Sequence, residues 1–249
     1  MIVDRSPRIA GLALVLVALL GACGGTAWSQ GSKADPTVLL SAINGTTAAK
    51  TARFEMHVSA SAAGQSAKVD GTGVVNFATH DIEIHADIHA GARSQSAEMR
   101  AVNGTAYVNI DGQWQSKPLN ASGTVNQNWD PSQFLDELRG VTDDLRETGS
   151  GSSHGDHTTK YERTLDLNKA AASISDPDAQ AKVQAAISEL GTANIPMQVE
   201  IDDAERVRKV EMAMNVSTAA GSGDASVKME FWDFGVPADI TAPDGATPA

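Results

Sequence analysis

Basic residues, cysteine and aromatics are all scarce in this chain, and each shortage removes a class of function. Nineteen lysines and arginines face 31 aspartates and glutamates, leaving a formal charge of −12. A chain this acidic lacks the basic footprint that nucleic acid or an anionic lipid surface demands. One cysteine in 249 residues permits no intramolecular disulfide and no cysteine-built metal site. Aromatics are only 4% of the chain, so its core must come from aliphatic side chains and methionines. No glycine-rich phosphate loop precedes a helix, which leaves nucleotide chemistry unsupported. The uncharged run from Ile9 to Leu20 is short for a bilayer span, since ~30 Å of hydrocarbon needs about 20 apolar residues.

That run has another use. Arg5 and Arg8 precede it, and Gly21 and Ala22 follow it, the basic–apolar–small order of a secretory signal. Leu20-Gly21-Ala22-Cys23 resembles a bacterial lipobox. The resemblance implies cleavage before Cys23, a diacylglycerol on its thiol, and a place on the extracytoplasmic face of the cell membrane. Two or more acyl chains hold a protein stably there, whereas one holds it marginally. An uncleaved anchor or an ordinary secretory signal is the alternative for residues 1–22. Losing them removes a net +1 from Asp4, Arg5 and Arg8, leaving 227 residues at −13. That length suffices for one domain with a sizeable core. Residues 23–34 read as a flexible tether and 35–249 as a single domain.

Asp35-Pro36, Asp130-Pro131 and Asp176-Pro177 share a helix-start signature. Aspartate accepts from the free N–H groups, and proline loses nothing in the first turn. One helix is predicted from residue 36 to about 49, with Val38, Leu39 and Ile43 on one side and Gly45 weakening it. A shorter one carries Phe134, Leu135 and Leu138 and stops at Gly140. The third places Ala179, Val183, Ala186, Ile187 and Leu190 on one stripe and ends at Gly191. Polar–apolar alternation predicts half-buried antiparallel strands at 54–58, 69–77 and 82–88. Asn103-Gly104 and Asp111-Gly112 are hairpin turns following 96–102 and 105–110. Further strands are predicted at 141–148, 158–167, 195–201, 207–217 and 225–234, with a polar turn over 149–157. About ten strands in meander order with helices inserted at three points indicate an α+β fold, one large antiparallel sheet with helices on one face.

Candidate chemistry is thin. Gly151-Ser152-Ser153-His154-Gly155 matches a nucleophile elbow, which needs an apolar strand running into a strained turn. Here the match sits inside a Gly/Ser run, so Ser153 is read as a loop residue. His85, Asp87 and His89 share one face of a strand, opposite Ile84 and Ile88, while His154 and His157 lie in the polar turn. Zinc needs several such ligands converging on a rigid frame. Alternation alone explains the strand face as solvated, so no metal and no cofactor are assigned. Asp143-Asp144 and Asp202-Asp203 fall at predicted turns or edges. No catalytic residue is assigned, and the chain is read as a non-enzyme.

The methionines carry more. Met56, Met99, Met197, Met212, Met214 and Met229 each sit on the apolar parity of a predicted strand, among Phe54, Val58, Val199, Val210, Val216 and Phe231. Methionine is flexible and polarizable and suits surfaces that must fit variable apolar partners. Such a face fits a loose acyl-chain cavity, although periodicity alone slightly favours a plain core.

The last predicted strand ends in Phe231-Trp232-Asp233-Phe234-Gly235-Val236-Pro237, followed by Ile240-Thr241-Ala242-Pro243. With the lipobox, the capped first helix, the strand meander and the mid-chain helices, this layout over residues 35–244 resembles the LolA-like lipoproteins of actinobacteria, the LppX/LprG type. The resemblance implies a strongly curved antiparallel sheet, a half-barrel, with helices covering its concave side and a lipid or lipoglycan carried between. It brings no catalytic residue to carry over. The residues then expected to line the cavity are Phe54, Met56, Val58, Val75, Phe77, Met99, Met197, Val199, Met212, Met214, Val216, Met229 and Phe231. The implied partners are a lipid or acylated glycolipid, the membrane through Cys23, and an envelope exporter or acceptor protein. The other function kept open is a non-enzymatic envelope sensor or assembly partner with a closed core. The chain departs from the family in its abundance of Ser, Thr and Ala, which suits a smaller or filled cavity.

Overall fold

In the computed structural model, two hairpin meanders lie edge to edge in one sheet. Residues 31–248 are described, apart from 63, 120–129, 140–143, 174–176, 191–192 and 219–220. A short strand β1 (Ser32–Lys33) and helix α1 (Thr37–Ala48) lead into the first meander. It comprises β2 (Thr51–Ala62), β3 (Gln65–Asn76), β4 (Asp81–Ala90), β5 (Arg93–Val102), β6 (Thr105–Ile110) and β7 (Gln113–Pro118). Helix α2 (Pro131–Leu138) links it to β8 (Arg146–Ser153) and β9 (Asp156–Asp166). Helices α3 (Leu167–Ser173) and α4 (Pro177–Leu190) come next, then β10 (Asn194–Asp202), β11 (Val207–Thr218), β12 (Gly221–Trp232) and a terminal β13 (Thr247–Pro248).

The two meanders join where β12 pairs antiparallel with β2, from Gly223 opposite Ala62 to Trp232 opposite Arg53. The sheet order is β1-β8-β9-β10-β11-β12-β2-β3-β4-β5-β6-β7-β13. Every pairing is antiparallel except β13 with β7. The sheet is large, open and curved, and the helices lie against its apolar face.

The helix starts at Asp35 and Asp130 form as the sequence predicts. Asp35 Oδ1 accepts from the Thr37 amide at 2.8 Å and from its hydroxyl at 2.7 Å. Those bonds hold the exposed Asp35 carboxyl below its ordinary range. Asp130 does the same for the Ser132 amide at 2.7 Å. Leu39, Ala42, Ile43 and Thr46 form the buried face of α1. Gly45 allows closer docking than a weakened helix suggests, because a Cβ there would collide with the Glu205 carbonyl of the β10–β11 turn. Beside it, Thr46 Oγ1 accepts from the Val207 amide at 2.8 Å. Leu135 and Leu138 of α2 are buried. Val183 and Ile187 of α4 are half-buried against the core. Gly140, Asp143, Asp176 and Gly191, and the side chains of Ala179, Ala186 and Leu190, lie outside the described residues.

Three expectations change. The strand predicted over 141–148 is displaced to β8, which runs on to Ser153, and the polar turn shrinks to His154-Gly155. This strand lacks alternation because it lies near a sheet edge and its tip buries polar groups. The end of the strand predicted over 158–167 becomes α3, started by Asp166 Oδ1 accepting from the Asn168 amide at 2.9 Å. The last residues of the expected tether are also docked: Ser32 and Lys33 pair with Glu147 and Arg146, and the Ala34 amide donates to Leu145 at 2.9 Å.

Candidate functional site

In an antiparallel ladder, directly opposed residues point to the same side of the sheet, so register decides which side chains gather. Phe54 faces Phe231, Met56 faces Met229 and Val58 faces Val227 across the β2–β12 junction. On the other side of β12, Met212 faces Val227 and Met214 faces Ala225. Beyond β11, Met212 faces Met197 and Val210 faces Val199. The result is one apolar face running from β10 to β5, on the side covered by the helices. Phe54, Met56, Val75, Phe77, Met197, Val199, Met212, Met214, Met229 and Phe231 are buried in a single cluster. Val58 and Met99 are half-buried against it, and the Val216 side chain lies outside the described residues.

The aromatic part of this face is ordered by ring contacts. The Phe77 and Phe231 centroids are 6.2 Å apart with planes tilted by 52°. On β3, Gly71 lets neighbouring side chains lie flat over the backbone, since a Cβ there would stand 2.8 Å from Ile84 Cδ1 and 3.3 Å from Met56 Cγ. Sequence alternation does not anticipate that role. A cleft of about 220 Å³ opens at the edge of the apolar face, lined by Val38 and Ser41 of α1 and by Tyr161 and Ile201 of the sheet. Burial, aided by the nearby Glu147 charge, holds the Tyr161 phenol neutral above its ordinary range.

The opposite, outer face is polar and carries the remaining candidates. Ser153 is at the end of β8 rather than in a loop, and it is buried. Its hydroxyl donates to Glu230 Oε2 at 2.9 Å, so it is sealed from solvent rather than presented as a nucleophile. His85, Asp87 and His89 share the outer face of β4 but turn to different partners. His85 Nε2 lies 3.6 Å from Glu83, Asp87 accepts from Ser96 at 2.6 Å, and His89 pairs with Ser94 at 2.8 Å. Arg100 bridges Glu83 and Glu98 beside His85, at 3.2 and 2.8 Å.

The β8–β9 hairpin folds over the outer face and buries a charged cluster that the sequence gives no means of assembling. Glu200 accepts from Thr158 at 2.6 Å, and Asp202 binds Arg206 at 2.9 Å. Arg208 pairs with Asp156 and lies over the Phe234 ring at 5.3 Å. Burial, opposed by the Asp233 charge, lowers the Arg208 pKa. Asp203 stays exposed and meets His157 Nδ1 at 3.1 Å, while Asp144 lies 3.8 Å from Lys33.

No protein-family model and no curated protein sequence matches this chain. Among solved structures, LprF from Mycobacterium bovis is similar with a TM-score of 0.53 at 16% identity, covering 86% of this chain and 100% of LprF. Lipoprotein LppX from Mycobacterium tuberculosis aligns at a TM-score of 0.44 and 15% identity, over 84% of this chain and 100% of LppX. A LolA superfamily protein from Nitrosomonas europaea aligns at 0.35 and 10% identity, over 84% and 97% of the two chains. The last two likenesses are too loose to argue from, and the assignment rests on LprF. An open curved antiparallel sheet with helices on its apolar face, matched over 86% of this chain and all of LprF, gives this chain the fold of LprF.

Proposed function

We propose that this chain is a membrane-anchored, non-catalytic carrier that holds the acyl part of a lipid or lipoglycan between its sheet and its helices. It would move that lipid away from the outer face of the cytoplasmic membrane. The observation that carries the reading is the helix-covered face itself. Its Met56, Met197, Met212, Met214 and Met229 are gathered from four strands onto one surface. Methionine surfaces re-pack around variable apolar shapes, and burial at ~0.8 kcal/mol per CH₂ retains a long chain without specific polar contacts. The cleft between α1 and the sheet is the entrance we favour for the acyl chain. Phe54, Val58, Val75, Phe77, Met99, Val199, Val216 and Phe231 complete the proposed lining.

The anchor follows from Cys23, which lies outside the described residues. Among the described residues, no helix is long and apolar enough to cross a membrane. Attachment is proposed through a lipidated Cys23. An envelope exporter or acceptor would then deliver or receive the lipid.

The closed-core reading, a sensor or assembly partner, draws on the complete burial of Met197 and Val199. Native mass spectrometry of protein purified from a lipid-rich bacterial host separates the two. The carrier reading expects adducts with the masses of membrane lipids. Protein that emerges at its bare mass, and takes up no lipid when incubated with membrane extract, belongs to the closed-core reading.

A further inference from the structure

Three donor side chains from three distant parts of the chain converge on the outer face at the β2–β12 junction. Glu55 comes from β2, Glu230 from β12, and His154 from the tip of the β8–β9 hairpin. His154 Nε2 lies 3.6 Å from Glu230 Oε2 and 3.9 Å from Glu55 Oε1. The three donor atoms all lie within 4.8 Å of one another. Metal bonds of ~2.0–2.2 Å in a tetrahedron set donor atoms roughly 3.3–3.6 Å apart. The observed spacings need little contraction to reach that geometry.

Each donor is also held from behind. The His154 ring stacks on Trp232, with centroids 4.1 Å apart and planes 12° from parallel. Glu230 accepts from Ser153 and is largely buried. Lys228 Nζ reaches Glu230 Oε1 at 2.7 Å, the oxygen that faces away from His154, and Glu55 Oε1 at 3.9 Å.

We propose that Glu55, His154 and Glu230 form a binding site for one divalent cation of the zinc class. One imidazole and two carboxylates supply three protein ligands to a borderline ion and leave its fourth position to water. Lys228 places a positive charge beside the site and weakens it. The ion ties the hairpin tip to the junction between the two meanders. Sequence reasoning sets His154 aside because it offers no third close ligand on a rigid element, and only the fold brings Glu55 and Glu230 to it.

Calorimetric titration of the full chain, carrying no added histidines, with zinc chloride at neutral pH tests this. One zinc per chain is expected. His154→Ala and Glu230→Gln should each weaken it at least tenfold. Lys228→Met should tighten it, a gain that a misfolded variant would not show. Metal-free melting curves establish that each variant folds. No stoichiometric uptake overturns the proposal, as does uptake that ignores His154→Ala or that is lost instead in His85→Ala.

Discussion

Phe54 and Phe231 lie directly opposite each other across the strand pair that joins the two meanders, and both are fully buried. Phe77 packs on Phe231, so this ring cluster ties the first meander to the last long strand of the second. Phe231→Ala should cost ~3–5 kcal/mol, because a ring is removed where the surroundings cannot collapse. For a chain of this size that lowers the melting temperature by roughly 6–20 °C. Thermal unfolding followed by circular dichroism measures it.

Gly45→Ala should behave opposite to helix propensity. Alanine ordinarily stabilises a helix interior by ~1 kcal/mol relative to glycine. At this position the added methyl meets the Glu205 carbonyl, and α1 must lift from the β10–β11 turn. We expect a net loss of ~1–3 kcal/mol, read as a lower urea midpoint. A variant as stable as the parent would mean that α1 docks less closely than described.

The α1 contact also illustrates how much the sequence conveys. Asp35-Pro36, Asn103-Gly104 and Asp111-Gly112 act locally, and each produces the helix start or hairpin turn that its chemistry predicts. The apolar parity of Phe54, Met56, Met197 and Met212 is likewise local, and register brings these residues to one face. Gly45 looks like a weakness because its reason, the Glu205 carbonyl, is 160 residues away. Strand β8 escapes detection for a related cause. Its Gly/Ser composition reads as turn, while its partners Glu230 and Arg208 come from strands that its own sequence does not mention.

The pH dependence of stability should carry a signature of Glu230. Burial raises this carboxyl, but hydrogen bonds from Lys228 and Ser153 and the charges of Lys228 and Lys209 outweigh it, leaving it below its ordinary 4.5. A group depressed on folding contributes stability that is complete above its unfolded value and lost as pH falls through its folded value. Stability should therefore begin to fall below about pH 4.5, and Glu230→Gln should flatten that fall. Urea denaturation across an acidic pH series, with chelator present, gives the comparison. An unchanged acid slope in the variant would assign the effect to other carboxylates.

Val199→Trp distinguishes a ligand space from a packed interior. Val199 is fully buried beside Met197 and opposite Val210. If the helix-covered face accommodates a lipid, the indole takes ligand room. Bound lipid should then drop while the delipidated protein melts within a few degrees of the parent. Overpacking of a filled core would instead cost ~1–3 kcal/mol and leave lipid content irrelevant. Melting of delipidated samples and lipid content of purified ones are both needed, because a bound ligand raises the melting temperature by itself.

Cys23→Ala should abolish labelling of the chain by radioactive fatty acid in a bacterial host. It should also leave the precursor uncut or release the protein from the membrane fraction. Label persisting in the variant would remove the lipobox reading.

The sheet is open, yet each of its edges is partly covered. The first described residues pair with Arg146 and Glu147 of β8, and the last pair with Gln115 and Ser116 of β7. An uncovered strand offers a row of unpaired amides and carbonyls to any passing chain. Strand β8, rich in glycine and serine, is weak at enforcing register, so a newcomer has several ways to zip onto it. Protein trimmed at residue 35, the boundary that the sequence suggests, loses β1 and should self-associate through that edge. The few residues ahead of the first helix thus act as a guard against polymerisation, a duty quite separate from any tether they form.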